Sequence, residues 1–244
     1  MKYQQIGDIA IFNKISKKES KGFLKKFPRV KTICIRKGAV KGQFRKPQIK
    51  IVISRVKKDK TITIHKESGI LYKIDVSKLM FAKGNINERH RIAKIARKNE
   101  IVVDMFAGIG YFTLPLAKKV KRVYAIELNP PSFKYFKENI NLNKLENIIA
   151  FKGDCAKVVP KLKIKADRIV MGFLPSPFKY LRAAFKVSKK GTIVHYHCLI
   201  RRGKEKSDIE KLVKKIKRVK LINAVRVKSY SAALEHYVLD LIVL

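Results

Sequence analysis

Acidic side chains are scarce in this sequence: 18 Asp+Glu stand against 58 Lys+Arg in 244 residues, a formal net charge of +40. A compact chain this one-sided repels itself, and an anionic partner relieves the repulsion. The shortage of acids also argues against a heat-adapted surface of mixed ion pairs, which carries Glu in numbers similar to Lys. Nucleic acid is the expected partner, because each phosphate neutralised also releases counterions. Composition does not separate RNA from DNA. Cysteine is scarce too. Cys34, Cys155 and Cys198 are odd in number, far apart and form no C-x-x-C. That argues against a disulfide framework and against a zinc or iron–sulfur site, so no metal is expected. Long apolar runs are missing. Nothing approaches the ~18 consecutive apolar residues of a spanning helix, and the run over residues 237–244 is short and contains Asp240. Residues 1–5 lack the apolar core of a signal peptide. The expectation is a cytoplasmic protein with no membrane partner and no obligate protein partner.

What is present reads in two parts. Residues 1–75 form a small basic α+β domain. Short β-like runs at 6–12, 32–35, 49–52, 61–64 and 71–74 alternate with basic loops, and one helix at 22–27 ends before Pro28. Residues 37–46 (KGAVKGQFRK) read as an exposed basic loop. From residue 76 to 244 the rhythm becomes strand, turn, helix, repeated, which predicts a doubly wound α/β sheet. Asn87 caps a helix to residue 97, with Ile92, Ile95 and Ala96 facing inward. Strands follow at 101–103, 122–126, 148–151, 168–171 and 192–196. Pro130-Pro131 opens a helix whose apolar face is Phe133, Phe136 and Ile140. A basic helix covers 207–217, and strands at 221–227 and 236–244 pair as a closing antiparallel hairpin.

Three of these strands end on acids: Asp104, Glu127 and Asp154. Open α/β sheets bind ligands at strand ends, where the strand order reverses. The turn Gly108-Ile109-Gly110 lets backbone approach a ligand closely, since glycine has no Cβ. Glu127 can accept from both ribose hydroxyls of a nucleoside and Asp154 from an adenine amino group. Phe106, Leu128 and Cys155 would sandwich the base. A nicotinamide dinucleotide is the competitor, but its G-x-G-x-x-G/A fingerprint fails at Thr113. An apolar strand followed by D-x-F-A-G-x-G, with an acid ending the next strand, points to S-adenosylmethionine.

The same residues resemble a known family, the archaeal and eukaryotic group containing the tRNA guanine-37 N1-methyltransferase and the wybutosine-pathway aminocarboxypropyltransferase. The resemblance spans nearly the whole chain. It rests on Ile6-Gly7-Asp8-Ile9-Ala10, Gly42-x-Phe44-Arg45-x-Pro47 and His65-Lys66-Glu67-Ser68-Gly69. It continues through residues 80–89 (MFAKGNINER) and 103–110 (VDMFAGIG). It implies a class I methyltransferase-like (Rossmann-like) domain after the small one. It implies S-adenosylmethionine as donor, with contacts from Ala82 and from Arg89, the latter to the methionine carboxylate. An ion pair between Arg89 and Glu88 is the alternative.

The sulfonium donor has two relevant electrophiles. Attack on the methyl gives methylation; attack on the γ-carbon transfers a 3-amino-3-carboxypropyl group. Positioning makes the choice. The fourth strand ends in Met171-Gly172-Phe173-Leu174-Pro175-Ser176, where the resembling methyltransferases carry Asn-Leu-Pro. Those enzymes also carry Arg where this chain has Gly84, and the Gly84-Asn85 form resembles the aminocarboxypropyl branch. Gly84 is expected to leave room for the methionine arm. The resemblance thus implies transfer to C7 of 4-demethylwyosine at position 37 of tRNA-Phe. The guanine-37 methyltransferase and a non-catalytic basic RNA-binding protein are the alternatives. Phe173, Pro175, His195 and His197 are candidate substrate-pocket residues, although each histidine taken singly reads first as a hydrogen-bonded strand-end group. Phe178, Tyr180 and Tyr196 are further aromatics near these strand ends, with core packing favoured for Phe178 and Tyr180.

Overall fold

The computed structural model describes residues 2–42 and 44–244. It divides into two compact units, Met1–Ala82 and Lys83–Leu244. The first holds β1 (Tyr3–Ile6), β2 (Ile9–Phe12), α1 (Lys17–Lys26), β3 (Thr32–Lys41), β4 (Lys46–Ser54), β5 (Ile62–Glu67) and β6 (Ile70–Asp75). Strands β1-β2-β3-β4 form one sheet and β5-β6 a hairpin. The strand expected at 6–12 is two strands, because Gly7 at φ +53° turns the chain back on itself. Helix α1 begins earlier than the apolar pattern suggested. Ser16 and Glu19 form a reciprocal capping box there, a signal carried by S-x-x-E. Phe12, Leu24 and Ile33 form the core of this unit, with Phe23 and Phe27 against them. The basic loop expected at 37–46 is instead largely strand: β3 runs to Lys41 and β4 starts at Lys46. Gln43 of that segment lies outside the described residues. The unit extends beyond residue 75 because Val76, Leu79 and Phe81 are buried in it, Phe81 edge-on to Tyr72.

The second unit opens on a 3-10 turn, Lys83–Asn85, and continues with α2 (Ile86–Ile95), β7 (Ile101–Asp104), α3 (Thr113–Ala117), β8 (Arg122–Glu127) and α4 (Pro130–Leu142). Then come β9 (Ile148–Lys152), α5 (Cys155–Val158), β10 (Ala166–Met171), α6 (Leu181–Val187), β11 (Ser188–Arg201), α7 (Glu205–Ile216), β12 (Val219–Ser229) and β13 (Leu234–Val243). The sheet order is β12-β13-β11-β10-β7-β8-β9. Neighbours from β9 to β11 pair in parallel, and β13 is antiparallel to both β11 and β12. This is the expected doubly wound sheet with its closing hairpin. Strand order reverses between β7 and β10, so the strand ends beside β7 are where such a sheet takes a ligand. Val103, Ile126, Ile169, Met171 and Val194 are buried in its core.

Two helix faces are rotated from the apolar pattern. Helix α4 buries Ser132, Tyr135, Phe136 and Asn139, because Asn139 is satisfied by donating to the Ile109 carbonyl at 3.1 Å. Helix α2 buries Glu88, Arg89, Ile92 and Ala93, leaving Ile95 exposed. Asn85 rather than Asn87 holds its N-cap position.

Candidate functional site

The acid at each strand end has a different task. Asp104 is fully buried. Its Oδ2 accepts from the Thr113 hydroxyl at 2.7 Å and its Oδ1 from the Phe106 amide at 3.2 Å. Burial pushes this carboxyl up to about 6. Fully buried, Asp104 ties β7 to α3 through Thr113. Glu127 is half-buried and differently placed. Its Oε2 accepts from the Gly108 amide at 2.7 Å and its Oε1 from the Asn129 amide at 2.6 Å. Each oxygen has two acceptor sites, so acceptor capacity remains beside the backbone amides of Gly108, Asn129 and Leu128. Two hydroxyls on adjacent carbons suit that pair. Asp154 caps α5, its Oδ1 accepting from the Ala156 amide at 2.9 Å.

The glycine turn is shaped by the protein's own packing. Gly108 and Gly110 sit at φ +60° and +98°. A Cβ on Gly110 would lie 2.6 Å from Leu114 Cγ, and one on Gly108 would lie 2.7 Å from the Tyr111 ring. Glycine here brings the turn down onto α3 and aims the Gly108 amide at Glu127.

The apolar walls differ in access. Leu128 is exposed, whereas Cys155 is buried in the core and burial pushes its thiol up to about 12. Phe106 and Leu128 are thus the available walls, and Cys155 supports from beneath. Phe106 stacks on Phe173 (centroids 5.1 Å apart, 29° between planes) and meets the edge of Tyr180 at 5.0 Å. Pro175 is exposed at the same strand end, its carbonyl accepting from the Leu199 amide. Tyr196, offered as a stacking ring, is fully buried, while Phe178, assigned to the core, is at the surface.

His195 does not line a pocket. It is fully buried in a chain of charges joining α2 to the sheet. Arg168 binds Glu100 through two bonds of 2.7 and 2.8 Å and donates from Nη1 to His195 Nε2 at 2.6 Å. His195 Nδ1 meets Asp240 Oδ1 at 2.6 Å. Arg91 bridges Asp240 and Glu88, with four bonds between 2.7 and 2.9 Å. A guanidinium only donates, so His195 Nε2 carries the lone pair and Nδ1 the proton, which it donates to Asp240. Burial lowers the His195 pKa, against the opposing pull of Asp240. Burial favours the acid form of Asp240, but the bonds from His195 and Arg91 hold it down to about 2. The Glu88 partner expected for Arg89 is Arg91. Arg89 is buried on the same helix, its guanidinium 5.8 Å from the centre of the Tyr111 ring. No residue pattern signalled this network, whose members are far apart in sequence.

His197 is also buried. Its Nδ1 lies 3.0 Å from His236 Nε2, and its ring meets the edge of Phe112. His197 Nε2 and His236 Nδ1 have no protein partner among the described residues. Burial lowers both pKa values, that of His236 to about 4. Ala82, half-buried, is the last residue of the first unit. At Gly84 a Cβ would lie 2.7 Å from Cδ of the Lys228 side chain.

Residues 63–228 match the TRM5/TYW2 methyltransferase domain. The chain belongs to this family. Over 98% of its length it is 42% identical to the tRNA(Phe) (4-demethylwyosine(37)-C(7)) aminocarboxypropyltransferase of Methanocaldococcus jannaschii, and it covers 97% of that protein. Over 79% of its length it is 36% identical to the tRNA (guanine(37)-N(1))-methyltransferase Trm5b of Pyrococcus abyssi, of which it covers 58%. The fold is similar to that of Pyrococcus horikoshii TYW2 in complex with MeSAdo: TM-score 0.83, 32% identity, 99% of this chain and 90% of that one. The family's presence agrees with the motifs at residues 80–89 and 103–110. Among the described residues no helix is long and apolar enough to cross a membrane, and no cluster of three or more His, Cys, Asp or Glu is placed to hold a metal.

Proposed function

We propose that this chain is a tRNA aminocarboxypropyltransferase of the cytoplasm. It transfers the 3-amino-3-carboxypropyl group of S-adenosylmethionine to C7 of 4-demethylwyosine at position 37 of tRNA-Phe: the γ-carbon–sulfur bond breaks, methylthioadenosine leaves, and the C7 proton is released to solvent. One observation carries the branch. The match to the M. jannaschii aminocarboxypropyltransferase runs end to end on both chains, at 42% identity. The P. abyssi guanine-37 methyltransferase is a longer protein, of which this chain covers 58%.

The second unit, from Lys83 onward, holds the donor. Glu127 accepts the two ribose hydroxyls on its remaining lone pairs, and Asp154 accepts from the adenine amino group. Phe106 and Leu128 flank the base, and the Gly108–Gly110 turn lies against the nucleoside. Arg89 binds the methionine carboxylate, with Ala82 nearby in the chain. When bound, the donor supplies a sulfonium whose γ-carbon is electrophilic and whose leaving thioether is neutral. This chain's own contribution is therefore placement. The buried network Glu88–Arg91–Asp240–His195–Arg168–Glu100 fixes α2, and with it Arg89, while Phe173 and Pro175 border the acceptor base. Holding the reacting atoms in line supplies most of the rate in such a reaction.

The test uses two labels. With tRNA-Phe bearing the tricyclic precursor, label in the methionine carboxyl of the donor moves to the tRNA and methyl label does not. Methyl label on guanosine 37 of unmodified tRNA would replace this reading with the guanine-37 methyltransferase. Binding of tRNA with neither donor consumed would leave an RNA-binding protein.

A further inference from the structure

The outer face of the second unit carries a groove between α6 and α7, with a volume of about 580 Å³. Its lining holds Lys179, Arg182, Lys186 and Arg218 and no acidic residue. Lys215 reaches its rim, with Nζ 4.8 Å from the centre of the Phe178 ring. None of these five cations forms an ion pair among the described residues. Four exposed cations elsewhere in this unit do meet acids: Arg201 with Asp208, Lys189 with Asp167, and Arg202 and Arg226 with Glu235. The acids of α7, Glu205, Asp208 and Glu210, all precede its second half. The groove's positive charge is therefore not spent within the protein.

Three of the five cations also lie against aromatic rings. Lys215 rests on Phe178, Lys179 lies 4.9 Å from the Tyr180 ring centre, and Arg218 lies 5.8 Å from that of Phe185. A ring face steadies a cation without neutralising it. The backbone after α7 takes an uncommon form. Lys217 and Arg218 both have positive φ, +54° and +57°, a conformation that side-chain-bearing residues rarely adopt. The groove also starts beside the strand-end cluster. Phe178 and Lys179 precede Tyr180, whose ring touches Phe106 and Phe173.

We infer that this groove binds the phosphodiester backbone of the RNA whose base is modified at the strand ends. The inference rests on the tRNA reading above. Clustered cations without an acid among them, three of them lying against rings, fit consecutive phosphates. The rings are already covered by cations and do not stack on bases, so the groove positions the RNA and does not read its sequence. Helix α6 has seven residues, so it is about 10 Å long at 1.5 Å per residue, the reach of roughly two phosphates.

The test compares two variants of the full chain with equal charge. One is Arg182→Gln/Lys186→Gln/Arg218→Gln in the groove. The other is Lys121→Gln/Lys161→Gln/Lys163→Gln at exposed positions outside it. Binding to precursor-bearing tRNA-Phe is titrated across salt. The groove variant weakens binding roughly tenfold or more at low salt and flattens the slope of log K against log salt by about 2. The control changes both much less. Melting temperature and donor affinity stay native in both, which separates the effect from misfolding. Equal effects of the two variants would overturn the groove and assign binding to the overall field. So would loss of binding to vesicles of anionic phospholipid by the groove variant with tRNA binding intact. If the native chain itself shows no salt-dependent tRNA binding, the functional reading fails, and the groove inference fails with it.

Discussion

Replacing Glu127 by Gln separates the two jobs that the side chain performs. In the native turn each carboxylate oxygen holds one backbone N–H, from Gly108 at 2.7 Å and from Asn129 at 2.6 Å. Gln keeps the shape and one acceptor oxygen. Its amide group must face one of those N–H donors, so one charge-assisted bond is lost and a donor is left unmatched. The unliganded protein should lose about 1–3 kcal/mol. For a chain of 244 residues that is roughly 2–12 °C in melting temperature. The ligand loses more selectively. One ribose hydroxyl no longer meets a charged acceptor, which costs about 1.5–3 kcal/mol, or roughly 10- to 150-fold in Kd. Calorimetric titration with S-adenosylmethionine and with methylthioadenosine should show the same factor for both, because the two share the ribose and differ in the methionine arm. A Kd within about threefold of native, together with the expected fall in melting temperature, would refute the reasoning. Glu127 would then only brace the Gly108 turn, and the ribose would lie elsewhere.

Acid should unfold the protein through its buried histidines. His236 titrates near 4 in the fold against about 6.5 in the unfolded chain. Its neutral form is stabilising above 6.5, and the contribution falls as pH drops from 6.5 to 4, by roughly 3 kcal/mol. His197 shifts the same way, so urea midpoints that stay flat from pH 7 to 4.5 would contradict this account. Asp240→Asn removes the charged partner of Arg91 on β13 while Glu88 still holds the guanidinium, and should cost about 1.5–3 kcal/mol, read as a lower urea midpoint at pH 7; a change under 1 kcal/mol would mean that the network does not clamp α2. Reversing Lys37, Lys41 and Lys46 to Glu on the β3–β4 arm should weaken tRNA binding and flatten its salt dependence, and affinity that does not vary with salt would assign the +40 charge another task.

The parallel strands were legible because each is a short apolar run punctuated by glycine or an acid, as at 101–104 and 122–127. The turn at Gly108 and the half-exposed Glu127 were legible for the same reason. Local pattern could not distinguish Asp104 from Glu127. Both end strands, but Thr113 Oγ1 closes over the former, and only packing decides that. Helix α6 was missed because LRAAFKV runs directly into β11 and has no cap or break to mark it. The tilted face of α2 was hidden by its charges. Glu88 is buried with a partner only because Arg91 links it to Asp240, 149 positions beyond Arg91. Pairings of that separation leave no local trace.

Strand β13 follows β12 in the chain yet lies between β12 and β11 in the sheet. During synthesis β11 therefore waits with one edge open, a row of unpaired backbone groups along 14 residues, while β12 is already made and has nowhere to dock. Such an edge invites pairing with other chains. When β13 slots in, it closes that edge, seats β12 and delivers Asp240 to His195 and Arg91 in a single event. The helix that starts this unit is thus secured by its final strand, so a nascent chain that stalls before Asp240 should present both an adhesive sheet edge and an unanchored α2.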